Sequence, residues 1–127
     1  MSGNSFLIDT NIIIYAMKDV LLLDELVHDE DELYISSITY IEALGFPFQN
    51  KDEEDKITMF CDKFKRLFLT EEVEKQTILI RKSNKIKLPD AIIAATAVVN
   101  NITLVTCNSD DFKLINGLKM LNPREIK

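Results

Sequence analysis

Three carboxylates stand alone in apolar surroundings. Asp9 is the only charged side chain from Met1 to Met17, Glu42 the only one between Glu32 and Lys51, and Asp90 the only one between Lys87 and Asp110. An isolated ionised carboxylate resists burial, because desolvation costs more than an unpaired charge recovers. Three of them beside core-forming segments point to a shared compensating partner. A divalent cation is the simplest, since hard cations take oxygen ligands, and an all-oxygen set selects Mg²⁺ or Mn²⁺ over zinc. His28 is the only histidine and sits in an acidic run. Most histidine-centred metal sites, Ser/His/Asp triads and histidine general bases are thereby excluded. No GxxxxGK[ST] or GxGxxG loop is present to cradle a nucleotide.

Each acid also has a structural use. Asp9 and Asn108 can cap helices, and Asp90, Asp110 and Asp111 suit the positive end of a helix dipole. Glu42 lies too deep in its helix for capping. Ile38, Ile41 and Gly45 at i−4, i−1 and i+3 predict a packed rather than a solvated side chain there.

The positioning elements follow from the apolar pattern. Phe6-Leu7-Ile8 reads as a buried strand, and Asp9-Thr10-Asn11 starts the helix after it. Val20 to Val27 is expected as a second helix and Leu33-Tyr34-Ile35 as a strand. Ser36-Ser37 then caps a helix from about Ile38 to Leu44, which Gly45 and Pro47 stop. Ile57, Phe60, Cys61, Phe64 and Phe68 keep helical spacing and predict a helix from Lys51 to Leu67, with Phe68-Leu69 as a short strand beyond it. Thr70 caps the next helix, whose start is acidic and whose end is basic.

Pro89 fits the first position of a further helix, with Asp90, Ala94 and Ala97 on one face. Thr103 to Thr106 is a third clear strand, Asn108 caps a short helix, and Lys119-Met120-Leu121 is an edge strand. Strands alternating with helices make an α/β fold with a mostly parallel sheet. Ligands in such sheets bind at the carboxyl ends of the strands, where Asp9 and Asn108 fall.

Composition agrees with one globular domain over residues 1–127. Hydrophobic residues make up 46% of the chain and charged residues 28%, and three Gly and three Pro leave little room for a linker. Cys61 and Cys107 have no metal-type spacing and read as reduced thiols of a cytoplasmic protein. No signal peptide is expected, and the longest apolar stretch, Ala91 to Val99, is too short to span a membrane.

The net charge of −6 argues against a broadly basic nucleic-acid binder, but the charge is uneven. Fourteen acids face three bases up to Asp62, and seven acids face twelve bases from Lys63 onward. A local anion-binding face is compatible with that split. Its candidates are Lys63, Lys65, Arg66, Arg81, Lys82, Lys85 and Lys87, which are equally readable as ordinary surface charge. The acidic run Asp24-Glu25 with Asp29 to Glu32 suits either a solvated loop or a basic protein partner.

The motifs themselves carry a resemblance. Phe6-Leu7-Ile8-Asp9-Thr10-Asn11 resembles the opening motif of PIN-domain nucleases, and Ser36 to Glu42 their second. Leu88 to Ala97 is similar to the third, and Thr106-Cys107-Asn108-Ser109-Asp110-Asp111-Phe112 to the fourth. In order and spacing the four resemble the small VapC-type toxins over essentially the whole chain. The resemblance implies a three-layer α/β/α fold and a Mg²⁺- or Mn²⁺-dependent endoribonuclease held in check by an antitoxin. It also implies a homodimer.

The resemblance carries Asp9, Glu42 and Asp90 over as the acidic core. The fourth ligand position falls on Asn108, where the neutral side chain weakens a second metal site. Asp110 or Asp111 can compensate, and Asp111 is favoured because it precedes Phe112. Thr10, Asn11 and Thr106 are expected to support the acids or the phosphate, and Arg81, Lys82 and Lys85 to meet RNA. Two other classes stay open. One is a non-catalytic interaction module that keeps the fold, which Asn108 leaves possible. The other is a phosphatase-like hydrolase with Asp9 as nucleophile, against which Asn11 stands where a second acid is needed.

Overall fold

A computed structural model describes residues 4–18 and 31–125 of the chain. The elements run β1 (Ser5–Ile8), α1 (Thr10–Lys18), β2 (Glu32–Ser36), α2 (Ser37–Leu44), α3 (Lys51–Cys61), β3 (Lys65–Leu67), α4 (Glu71–Ser83), α5 (Leu88–Asn100), β4 (Thr103–Val105), α6 (Ser109–Phe112) and β5 (Met120–Leu121), then a 3₁₀ turn at Pro123–Glu125. The strands form one sheet in the order β3-β2-β1-β4-β5, and every neighbouring pair is parallel. The architecture is the expected one.

β1 is central and buried on both faces, which is why its sequence shows no polar alternation. Phe6 and Ile8 pack with Ile12, Ile13 and Ala16 of α1 and with Ile57 and Cys61 of α3. Leu7, pointing the other way, packs with Val73 and Ile80 of α4 and with the alanines of α5. Helices therefore cover both faces. Small residues buried along α5, Ala91, Ala94, Ala95 and Ala97 among them, let it lie close to the sheet and α4.

The order of the strands fixes where a ligand can sit. From β1 the chain moves outward through β2 to β3, then returns to place β4 on the other side of β1. The β1–β4 seam is thus the switch point, where neighbouring connections diverge and leave a crevice beyond the strand ends.

Several boundaries differ from the sequence pattern. The helix expected from Lys51 to Leu67 stops at Cys61, and the strand falls on Lys65–Leu67 rather than on Phe68-Leu69. Phe64 keeps helical spacing because the turn after α3 still bonds Lys63 N–H to Phe60 O and Phe64 N–H to Cys61 O. Its ring then packs edge-on to Phe60 at 5.3 Å. Beyond Phe64, pairing of Lys65 with Tyr34 and of Leu67 with Ser36 takes over.

Ser36 caps α2 by accepting from Thr39 N–H, and Gly45 ends it through an N–H bond to Ile41 O. A Cβ at Gly45 would lie 2.7 Å from that same carbonyl oxygen. Pro89 occupies the second, not the first, residue of α5. The helix expected at Val20 to Val27, and most of the acidic run that follows it, lie outside the described residues. No described helix is long and apolar enough to cross a membrane.

Candidate active site at the centre of the sheet

Asp9 directly follows β1 and is 3% exposed. Its backbone N–H bonds to Val105 O at 3.0 Å, which extends the sheet pairing by one residue and fixes the carboxylate at the β1–β4 seam. The carboxylate is not an ordinary helix cap. Oδ1 accepts from the N–H of the next residue, Thr10, at 2.8 Å, and Oδ2 accepts from Thr106 Oγ1 at 2.7 Å across the seam. Thr106 Oγ1 in turn accepts from Asn108 N–H at 3.0 Å.

Burial pushes the Asp9 carboxyl up to about 6 from 3.8. The bonds from Thr106 and Thr10 oppose that rise, and the nearby charges of Asp90 and Glu42 add to it. Among the described residues no cationic side chain enters this balance.

Glu42 projects from α2. The structure corrects the expectation of a packed side chain: Glu42 is exposed, as is Ile41 beside it. Its reach is nevertheless fixed, because Thr10 Oγ1 donates to Glu42 Oε1 at 2.7 Å. Thr10 Oγ1 also lies 3.0 Å from Thr39 Oγ1, and Ser36 Oγ lies 3.3 Å from Thr39 Oγ1. Each hydroxyl has one proton and a carboxylate only accepts. The consistent chain therefore runs from Ser36 to Thr39 to Thr10 to Glu42. Thr39 is fully buried. Its part was missed at the sequence level. The available signal was a run of Ser and Thr on a helix face that otherwise enters the core.

Asp90 lies in the first turn of α5 and is half buried. Its carboxyl is raised first by burial, then by the charges of Asp111 and Glu42, while Lys87 lowers it. Asp90 and Asp111 line one cavity of about 510 Å³ together with Asp110, Lys85, Lys87, Ser83, Asn84, Ile86 and Leu114. Asp110 is almost fully exposed and lies 3.7 Å from Lys113. Of the alternative acids, Asp111 is the one whose charge reaches Asp90.

Asn108 occupies the position before α6, but its exposed side chain makes no capping bond, contrary to its expected role. Asn11 is half buried in the first turn of α1. Lys85 and Lys87 line the cavity, whereas Arg81 and Lys82 are exposed on the last turn of α4. Lys65 is bound to Glu32 at 2.8 Å instead of facing the acids.

The site is thus a rim of four mutually repelling carboxylates with oxygen donors from Thr10 and Thr106 between them. Among the described residues no three acid, thiol or imidazole side chains are, as they stand, close enough together to hold a metal ion. The donor set suits a hard divalent cation in its chemistry, being all oxygen and short of positive charge.

Known proteins of this shape agree. The profile of the PIN domain matches residues 6–118. The chain is 32% identical over 126 residues to Ribonuclease VapC1 of Rickettsia felis, covering 91% of this chain and 93% of that protein. Among solved structures it resembles VapBC2 of Rickettsia felis bound to a promoter DNA fragment, with a TM-score of 0.82 and 25% identity over 93% of this chain and 98% of that one. It also resembles a toxin–antitoxin complex of Klebsiella pneumoniae, with a TM-score of 0.77 and 30% identity over 94% and 98% of the two chains. From its motifs, its parallel sheet and these matches, the chain belongs to the PIN-domain family.

Proposed function

We propose that this chain is a metal-dependent endoribonuclease, the toxin of a VapBC-type toxin–antitoxin pair, working in the cytoplasm. The observation that carries the reading is Asp9. A carboxylate 3% exposed, with no compensating cation among the described residues and two further acids raising its energy, is poorly placed for stability and well placed for metal binding. PIN domains are metal-dependent nucleases, and the relative with the ribonuclease name spans nearly the full chain.

Asp9 and Asp90 hold the ion, which we assign as Mg²⁺ or Mn²⁺, with Glu42 and Asp111 beside them and Asn108 at the rim. Bound there, a divalent ion supplies a nucleophilic water at neutral pH and offsets the charge that builds on the phosphate. The side chains do the positioning. Thr106 and the Thr10 N–H orient the two Asp9 oxygens, and the Thr10 hydroxyl holds Glu42 toward the same rim. Lys85 and Lys87 bring positive charge to the cavity beside Asp90, where RNA phosphates are attracted. Arg81, Lys82 and Asn11 extend that approach. The products are a 5′-phosphate and a 3′-hydroxyl, since water and not the 2′-hydroxyl attacks. An antitoxin is the expected protein partner, and a homodimer the expected assembly.

Asp9→Asn and Asp90→Asn test the assignment. Each is expected to lower RNA cleavage by at least roughly 100-fold while leaving the far-ultraviolet circular dichroism of the protein unchanged. Wild-type cleavage by either purified variant would remove these acids from the active site.

A further inference from the structure

One cation at the far edge of the sheet is paired with no carboxylate among the described residues. Arg66 lies in the middle of β3, in register with Ile35 of β2. Its guanidinium carbon sits 3.5 Å from the centre of the Tyr40 ring and 6.0 Å from that of Phe68. Among the described residues Arg66 makes no ion pair, and its buried Nε finds no acceptor. Its neighbour Lys65, by contrast, is paired with Glu32. Phe68 follows the end of β3 directly and is 63% exposed as a residue. A guanidinium held on one ring beside a second, solvated ring is an arrangement that awaits a flat, anionic ligand.

Its place relates it to the acids. All strands are parallel, so the end of β3 lies on the same edge of the sheet as Asp9. β3 is two strands from β1, which at about 4.8 Å per strand puts it roughly 10 Å away. Tyr40 lies on α2, the helix that also carries Glu42, although the two side chains leave it in different directions. Lys85 and Lys87 lie with Asp90 and Asp111, by α6 and the β4 side. Positive groups therefore flank the acids on both sides, and β3 supplies the aromatic one.

We propose that Arg66, Tyr40 and Phe68 form a subsite for an unpaired nucleobase and its adjoining phosphate in single-stranded RNA. The proposal rests on the nuclease reading above and goes beyond it by naming the side chains that take the strand beside the acids. Phe68 takes the face of a base, an interaction that tolerates any sequence because every base has a π face. Arg66, stiffened by Tyr40, turns its N–H edge to the phosphate. A duplex is excluded, since its bases are stacked on one another and not available to a protein ring.

The chain contains no tryptophan, so Phe68→Trp makes a single fluorescent reporter. In chelator, to keep the strand whole, a short oligouridylate is expected to quench its emission, whereas a blunt RNA duplex of equal length is not. Ile78→Trp, exposed on α4 against the other face of the sheet, stays unquenched. Phe68→Ala is expected to weaken oligouridylate binding about 10-fold. Arg66→Ala lowers the slope of log affinity against log salt by about 0.7, and Arg66→Lys restores the slope.

Wild-type protein that cleaves RNA while Phe68→Trp stays unquenched and Phe68→Ala binds normally would overturn the subsite and leave the nuclease intact. Quenching by a co-purified protein partner but not by RNA would overturn it in favour of a protein interface. A wild-type protein that neither binds nor cleaves RNA removes the nuclease reading itself, and the subsite with it.

Discussion

Asp9 carries the clearest conflict between stability and function. The sign of its effect follows from its proton. In the folded chain the carboxyl is raised to about 6, against 3.8 in an unfolded one. Below about pH 4 both states hold the proton. Between there and about 6 the folded state alone holds it, so stability falls as pH rises through that window, by on the order of 3 kcal/mol. In chelator at pH 7.5, Asp9→Asn is therefore expected to raise the urea midpoint above wild type, with the gap closing near pH 4. A wild-type midpoint equal to that of the variant at both pH values would show that burial does not strain this acid. Thr10 is the second residue to examine. Thr10→Val keeps the shape of the side chain but removes the donor to Glu42 Oε1. A 10- to 100-fold loss of cleavage is expected from initial-rate measurements, together with a loss of about 1–3 kcal/mol in stability because the buried Thr39 hydroxyl loses its acceptor; an unchanged rate would mean that Glu42 needs no holding.

Elements explain what the sequence could and could not reveal about these residues. β1, α2 and α5 were legible because each announces itself locally. β1 is a continuous apolar run before a polar cluster, α2 opens on Ser36 and closes at Gly45, and α5 follows Pro89 with a row of alanines. The end of α3 was not legible, since no Gly or Pro marks it. Helical spacing continues through Phe64 while pairing with β2 converts the next three residues into a strand. The hydroxyl chain from Ser36 to Glu42 was equally hidden, because it crosses from α2 to α1 and forms only when the two helices pack. The exposure of Glu42 was misjudged for a related reason: neighbours along α2 do not decide how much solvent reaches it, and the contact that fixes it comes from Thr10 of α1. Ser36 joins cap and chain. Ser36→Ala is expected to cost about 1 kcal/mol in urea unfolding through the lost cap. A loss within experimental error would show that the cap is dispensable.

At the scale of the whole molecule, a wholly parallel sheet sets the acids on one edge and leaves positive charge to the later half of the chain. The strand order places the seam between β1 and β4, so residues 97 apart, Asp9 and Thr106, meet through one hydrogen bond. That meeting was inferable from the alternation of strands and helices, which dictates a parallel sheet and a site at its carboxyl edge. Its details were not, because Asn108 looks like a cap in the sequence while its side chain makes no capping bond, and the ion pair of Lys65 with Glu32 joins residues 33 apart. In the proposed reading, the repulsion among Asp9, Glu42, Asp90 and Asp111 is what a divalent ion would relieve. The most direct measurement is cleavage of an end-labelled RNA by chelator-stripped protein, before and after Mn²⁺ is restored, with the product ends identified. Metal-activated water predicts no cleavage in chelator, recovery with Mn²⁺, and 5′-phosphate with 3′-hydroxyl ends. Full activity in chelator, or a 2′,3′-cyclic phosphate product, would contradict it.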